Sequence, residues 1–180
     1  MAGNGNTTKY STPSIALHWL MLLVFVGLYI AVNLIDVFEK GTNAREYAKN
    51  AHFMGGLLVF ALVWLRIVFR VLGTTPPIVP APPALQEKLG KLLHLALYVL
   101  MVGMPLLGWA VLSARGKPIP FFGINLPALL AENKELGRQL MEIHEIGGTV
   151  GYFLIGGHAA AALYHHYFVK DNTLTRMSLR

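Results

Sequence analysis

The chain has 180 residues, 54% of them hydrophobic and only 13% charged, with no cysteine. A soluble domain of this length carries about 25% charge, so the composition points to a bilayer as solvent. The missing cysteines exclude disulfides, thiolate metal sites, iron–sulfur clusters and covalent c-type haem attachment. The net charge of +6 and the pI near 9.7 are read as the flanks of membrane helices and not as a nucleic-acid surface.

Four apolar stretches meet the requirement of roughly 20 residues for a helix that crosses a bilayer core. They predict spans over about 14–36, 51–71, 91–113 and 144–169. Backbone groups in lipid must be satisfied within the segment, so these are helices. Ser11-Thr12-Pro13 predicts the first start, with a hydroxyl cap and a proline in the first turn. The apolar run that follows has no small-residue cleavage site, so a cleaved signal peptide is not expected. Gly73-Thr74-Thr75-Pro76-Pro77 stops the second helix, and the proline-rich segment through Pro83 reads as an extended connector. Pro105, with Gly103 and Gly108 beside it, predicts a bend in the third. The expected fold class is all-α: one integral membrane four-helix bundle, residues 1–180.

Orientation is read from lysine and arginine. One face holds Lys9, Arg66, Arg70, Lys88, Lys91, Lys170, Arg176 and Arg180; the other holds Lys40, Arg45, Lys49, Arg115, Lys117, Lys134 and Arg138. Arg66, Arg70, Lys170 and Arg176 crowd the helix ends, so both termini are expected in the cytoplasm.

Ionisable side chains inside a span are costly and are usually functional, and most of the seven histidines lie in or beside the spans. His52 opens the predicted second helix and His144 the fourth, both at the outer face. His158 follows His144 by 14 residues, a rise of about 21 Å and about 40° short of four turns, so both imidazoles share a helix face. His158 then lies about 9 Å, and His18 about 5–6 Å, below the inner surface. Two pairs at two depths, His52–His144 and His18–His158, suit two b-type haems bound between helices, each iron held by two axial histidines. The competing reading of any one of them is a hydrogen-bonded packing residue. Both His52 and His144 begin a His-x-x-Gly-Gly run. The glycines share the histidine's face and would open a slot for a flat ring, or let helices pack closely. His94, His165 and His166 remain towards the inner side; His165 and His94 suit proton donation beside the inner haem.

Gly151-Tyr152-Phe153-Leu154-Ile155-Gly156-Gly157-His158-Ala159-Ala160-Ala161-Ala162, running on through His165-His166-Tyr167 to Lys170-Asp171-Asn172-Thr173-Leu174, resembles the last helix of the bacterial cytochrome b561 family. Ser14-Ile15-Ala16-Leu17-His18-Trp19-Leu20, Arg66, Pro76-Pro77-Ile78, Arg115-Gly116 and Phe122-Gly123 extend the resemblance over essentially the whole chain. The connector departs from the family in having Ala81 and Pro82-Pro83 where lysines are expected. The resemblance implies bis-histidine ligation of two haem b groups by His18, His52, His144 and His158 in a bacterial inner membrane. It further implies oxidation of superoxide at the outer face with reduction of ubiquinone in the membrane, as in the family's superoxide oxidases. Arg115 and Lys117 are the candidates for attracting the anion, and His94 and His165 for the quinone. Besides superoxide, ubiquinone and lipid, no obligate partner subunit is expected. The alternative is a haem-b relay that anchors a periplasmic dehydrogenase and passes its electrons to quinone.

Overall fold

The computed structural model describes residues 8–179, so Arg180 in the orientation count lies outside the described residues. The architecture is all-α, with four long apolar helices: α1 (Thr12–Val37), α2 (Asn43–Leu72), α3 (Ala84–Ala114) and α4 (Lys134–Tyr164). A single π-helical turn (His165–Val169) continues α4, and a short 3-10 turn (Thr175–Met177) lies in the tail. Between α3 and α4, β1 (Pro120–Phe121) pairs antiparallel with β2 (Ile124–Asn125) to form a small hairpin.

Three of the helices begin seven to ten residues before the predicted spans. Hydropathy marks only the lipid-crossing part of a helix. The polar first turns are helical for a different reason: they pair charges along one face. Lys49–Glu46 (2.6 Å), Lys91–Glu87 (2.6 Å) and Arg138 with Glu135 (2.7 Å) and Glu142 (2.5 Å) are three or four residues apart. Thr42 and Asn133 supply the caps, accepting from the amides of Arg45 and Leu136. His52 and His144 therefore sit nine and ten residues inside α2 and α4 and do not open them. Because both helices grow by nearly the same amount, their relative depth is kept. At the amino end α1 starts at Thr12 with Pro13 in its first turn, but the Ser11 hydroxyl makes no capping bond. α3 runs unbroken through Pro105.

α1 packs along α2, α2 on α3, and α3 along α4. Met21, Val59, Val63 and Met101 form the central core where α1, α2 and α3 meet. A second cluster, Leu57, Leu112 and Ile119 with Phe53, Trp109, Phe121 and Leu126, seats the hairpin on the first half of α2 and the end of α3. Neither cluster includes a residue of α4, whose buried residues are Gly137 and Gly151. α4 thus meets α1 and α2 through glycines, histidines and tyrosines and not through an interlocked aliphatic core.

Candidate functional site

α4 presents His144 and His158 towards helices on the other side of the bundle. The His52 ring of α2 faces His144 with ring centres 6.1 Å apart and planes 89° apart. The His18 ring of α1 faces His158 at 6.1 Å and 79°. The four residues come together in the two pairs expected from depth.

Two imidazole–metal bonds of about 2 Å each, plus the reach from each nitrogen to its ring centre, span about 6 Å. Both pairs have that spacing. His144 Nδ1 is buried without a hydrogen-bond partner, and the buried His52 Nδ1 has no partner beyond the backbone of Leu28. Unpartnered buried nitrogens are uncommon and are what a ligand-holding ring would present. Among the described residues no three of His, Cys, Asp and Glu converge to hold a bare ion. Opposed pairs instead suit a macrocycle that brings its own equatorial nitrogens, as haem does. The donor set therefore fits haem.

The glycines divide into two kinds. A Cβ at Gly108 would meet His144 Cε1 at 3.1 Å, one at Gly147 would meet Met104 Sδ at 2.4 Å, and one at Gly151 would meet the Tyr29 hydroxyl at 2.3 Å. Gly56, Gly148, Gly156 and Gly157 have nothing within 4 Å of that position. Of each Gly-Gly pair in the two His-x-x-Gly-Gly runs, the first packs against a neighbouring helix and the second faces open space. The close-packing reading of the motif holds at the first glycine of each pair.

Sequence reasoning missed the polar bridge from α1 to α4. Tyr29 donates to the Gly148 carbonyl (3.1 Å), Asn33 donates to the Tyr152 hydroxyl (2.9 Å), and the Tyr29 and Tyr152 rings lie 3.9 Å apart. These residues fall between the two histidine pairs along α4. Tyrosine and asparagine in an apolar span were its only signal.

His94 and His165 part company. His94 turns to His158, with ring centres 5.4 Å apart. His165 joins Gln86 (Nε2 to Nε2, 3.0 Å) and Asp171 (Nδ1 to Oδ2, 2.5 Å). Burial alone would raise the Asp171 carboxyl, but hydrogen bonds from His165 and from the Thr173 amide and hydroxyl outweigh it and leave it below its ordinary value. Arg66 donates to the Ser14 carbonyl (3.3 Å), tying α2 to the start of α1 four residues before His18. Arg115 and Lys117 lie exposed just past the carboxyl end of α3, with Glu132 folded over the intervening Gly116. Neither has an ion-pair partner among the described residues. His166 stacks edge-on against Tyr167 and joins neither pair.

The family model described as prokaryotic cytochrome b561 matches residues 9–178. The chain is 39% identical over 172 residues to cytochrome b561 homolog 1 of Escherichia coli (strain K12), covering 96% of this chain and 98% of that protein. It is 37% identical over 172 residues to the probable superoxide oxidase CybB of Yersinia pestis, covering 94% and 95%. Cytochrome b561 homolog 2 of Escherichia coli (strain K12) is 27% identical over 185 residues, covering 98% and 95%. The chain belongs to the prokaryotic cytochrome b561 family of membrane electron carriers, whose redox group is b-type haem.

Proposed function

We propose that the chain is a di-haem cytochrome b that carries electrons from superoxide at the outer face to ubiquinone near the inner face, both termini being cytoplasmic. The observation that carries this is the repeated 6.1 Å spacing of two opposed histidine pairs spread along α4. His52 and His144 would hold the outer haem, and His18 and His158 the inner one. When bound, the haems supply one-electron carriers; the protein fixes and insulates them. The overall balance is two superoxide plus ubiquinone plus two protons giving two dioxygen plus ubiquinol. Superoxide as donor is supported by the similarity to the probable superoxide oxidase and by the unpaired Arg115 and Lys117. His94 and His165, at the inner end, are the candidates for meeting the quinone. The slightly higher identity to a relative named only as a cytochrome b561 homolog, 39% against 37%, favours keeping a second reading, a relay subunit fed by a periplasmic dehydrogenase.

His94 competes with His18 for the inner position, since both rings lie against His158. The 6.1 Å spacing shared with the outer pair supports His18 as the ligand, with His94 as a neighbour. The purified protein is therefore expected to hold two low-spin haems, read by pyridine haemochrome assay and absorption spectrum. His18→Ala, His52→Ala, His144→Ala or His158→Ala should each lower the count to about one, while His94→Ala should keep two. A single haem in the unmodified protein, or loss of a haem in His94→Ala with retention in His18→Ala, would refute the assignment. Quinone reduction driven by a superoxide source then separates the two readings, because a relay subunit would be inactive without its dehydrogenase.

A further inference from the structure

We propose that Asp171 is a positioning residue that holds His165 with Nδ1–H towards the carboxylate and leaves Nε2, on the Gln86 side, as the nitrogen that exchanges a proton, the two forming the proton-delivering pair for quinone reduction at the inner end. The inference rests on the reading that quinone is reduced beside His165.

Asp171 lies in the tail just after the π-helical turn, and its side chain is 1% exposed. A buried carboxylate must be paired. Among the described residues no lysine or arginine comes within ion-pair distance of it, and its only such partner is His165. Thr173 N–H donates to the other oxygen (2.8 Å), which keeps the carboxylate from turning away. A carboxylate can only accept, so the 2.5 Å contact fixes the proton on Nδ1. The π-helical turn builds this geometry. Its wide winding lets the Asp171 amide return to the His165 carbonyl (3.3 Å), and Lys170, in the left-handed region at φ 61°, reverses the chain.

The other ring nitrogen faces Gln86 of α3. A carboxamide suits a ring that changes charge: its NH2 donates to a bare Nε2, and after a half-turn its carbonyl accepts from Nε2–H. The groups facing His165 are thus Gln86 from α3, Asp171 and Thr173 from the tail, and Tyr164 from its own helix. Asp171 is the one charge among them. With its side chain 12% exposed, His165 can recover a proton from water at the inner surface. In the step, a proton leaves Nε2 for a quinone carbonyl oxygen as the cytochrome's electrons arrive. The Nδ1–H stays with Asp171. Two such deliveries, with two electrons, convert quinone to quinol.

The test uses the full haem-loaded protein. Nitrogen NMR of 15N-histidine protein in the reduced, diamagnetic state should show His165 protonated at Nδ1, and a mixture of ring tautomers in Asp171→Ala. Reoxidation of the reduced cytochrome by a water-soluble ubiquinone analogue should slow at least about tenfold near neutral pH in Asp171→Asn. Asp171→Glu, which keeps a carboxylate to accept from Nδ1–H, should restore part of the rate. Haem count and spectrum serve as the control for folding. A native reoxidation rate in Asp171→Asn, or an Nε2-protonated ring in the unmodified protein, overturns the inference. If His165→Ala itself reoxidises normally, the quinone placement fails instead. A slow His165→Ala beside a normal Asp171→Asn removes Asp171 alone.

Discussion

Gly108 shows how narrowly a histidine in this bundle is placed. The missing Cβ would stand 3.1 Å from His144 Cε1, so the ring rests on the backbone of α3. A branched side chain there has no free volume and must move the ring, and displaced close packing costs about 1–3 kcal/mol. Gly108→Val is expected to lower outer-haem occupancy or broaden its spectrum, with the inner haem unaffected. Gly103 lies on the same helix with nothing within 4 Å of its Cβ position, and Gly103→Val should leave both haem signals unchanged. Equal effects of the two substitutions on the spectrum would show that the contact with His144 is not what matters. Tyr29 is placed with similar closeness over Gly151, its hydroxyl donating to Gly148.

At the scale of elements, the end of the bundle that carries the carboxyl tail is closed by that tail and not by the helices. Asn172 accepts from the Val79 amide (2.8 Å) and donates to the Pro77 carbonyl (3.2 Å), clamping the proline-rich connector. Arg176, buried, donates to the Pro76 carbonyl (2.5 Å) and lies over the Tyr10 ring, while Trp19 of α1 donates to the Met177 carbonyl (2.8 Å). Prolines lack the amides that would pair a connector with itself, so their carbonyls are left for tail side chains to satisfy. Asn172→Ala removes two hydrogen bonds at about 0.5–1.5 kcal/mol each. Its thermal midpoint should fall by a few degrees with two haems retained; an unchanged midpoint would mean that the clamp contributes nothing. Acid should loosen the tail beside that clamp, at the contacts of Asp171 with His165 and Thr173. Asp171 is held below its ordinary value, so its contribution is complete above the ordinary carboxylate range and is lost as pH falls through the depressed one.

For the whole molecule, the two ends differ in what they offer a reactant. The outer end carries the hairpin, with exposed Phe122 and Ile124, and the exposed Arg115 and Lys117. The inner end carries the tail over His165. Steering of a small anion by exposed charge is screened by salt over a Debye length of about 8–10 Å. Arg115→Gln is therefore expected to lower the second-order rate of haem reduction by superoxide and to flatten its dependence on ionic strength. In sealed vesicles of known sidedness, superoxide generated outside should reduce the cytochrome when the outer end faces out, and not when the vesicles are inverted. Reduction only in inverted vesicles would reverse the direction of electron flow.

Most of what could be read from the sequence follows from one-dimensional physics. Four apolar runs long enough for a bilayer fix four helices, and constant helical rise and twist place His144 and His158 on one face and His52 and His18 at matching depths. Adding polar turns of nearly equal length to α2 and α4 moved the boundaries without disturbing those depths. Three-dimensional packing decided what rise and twist cannot carry. It turned His94 towards His158 and His165 away to Gln86 and Asp171, because the tail folds back after a π-helical turn that no hydropathy pattern marks. It also set Tyr29 against Gly151, and split each Gly-Gly pair into one close contact and one open face. Periodicity assigns a residue to a face of its own helix; which neighbour meets that face depends on how the helices and the tail pack together.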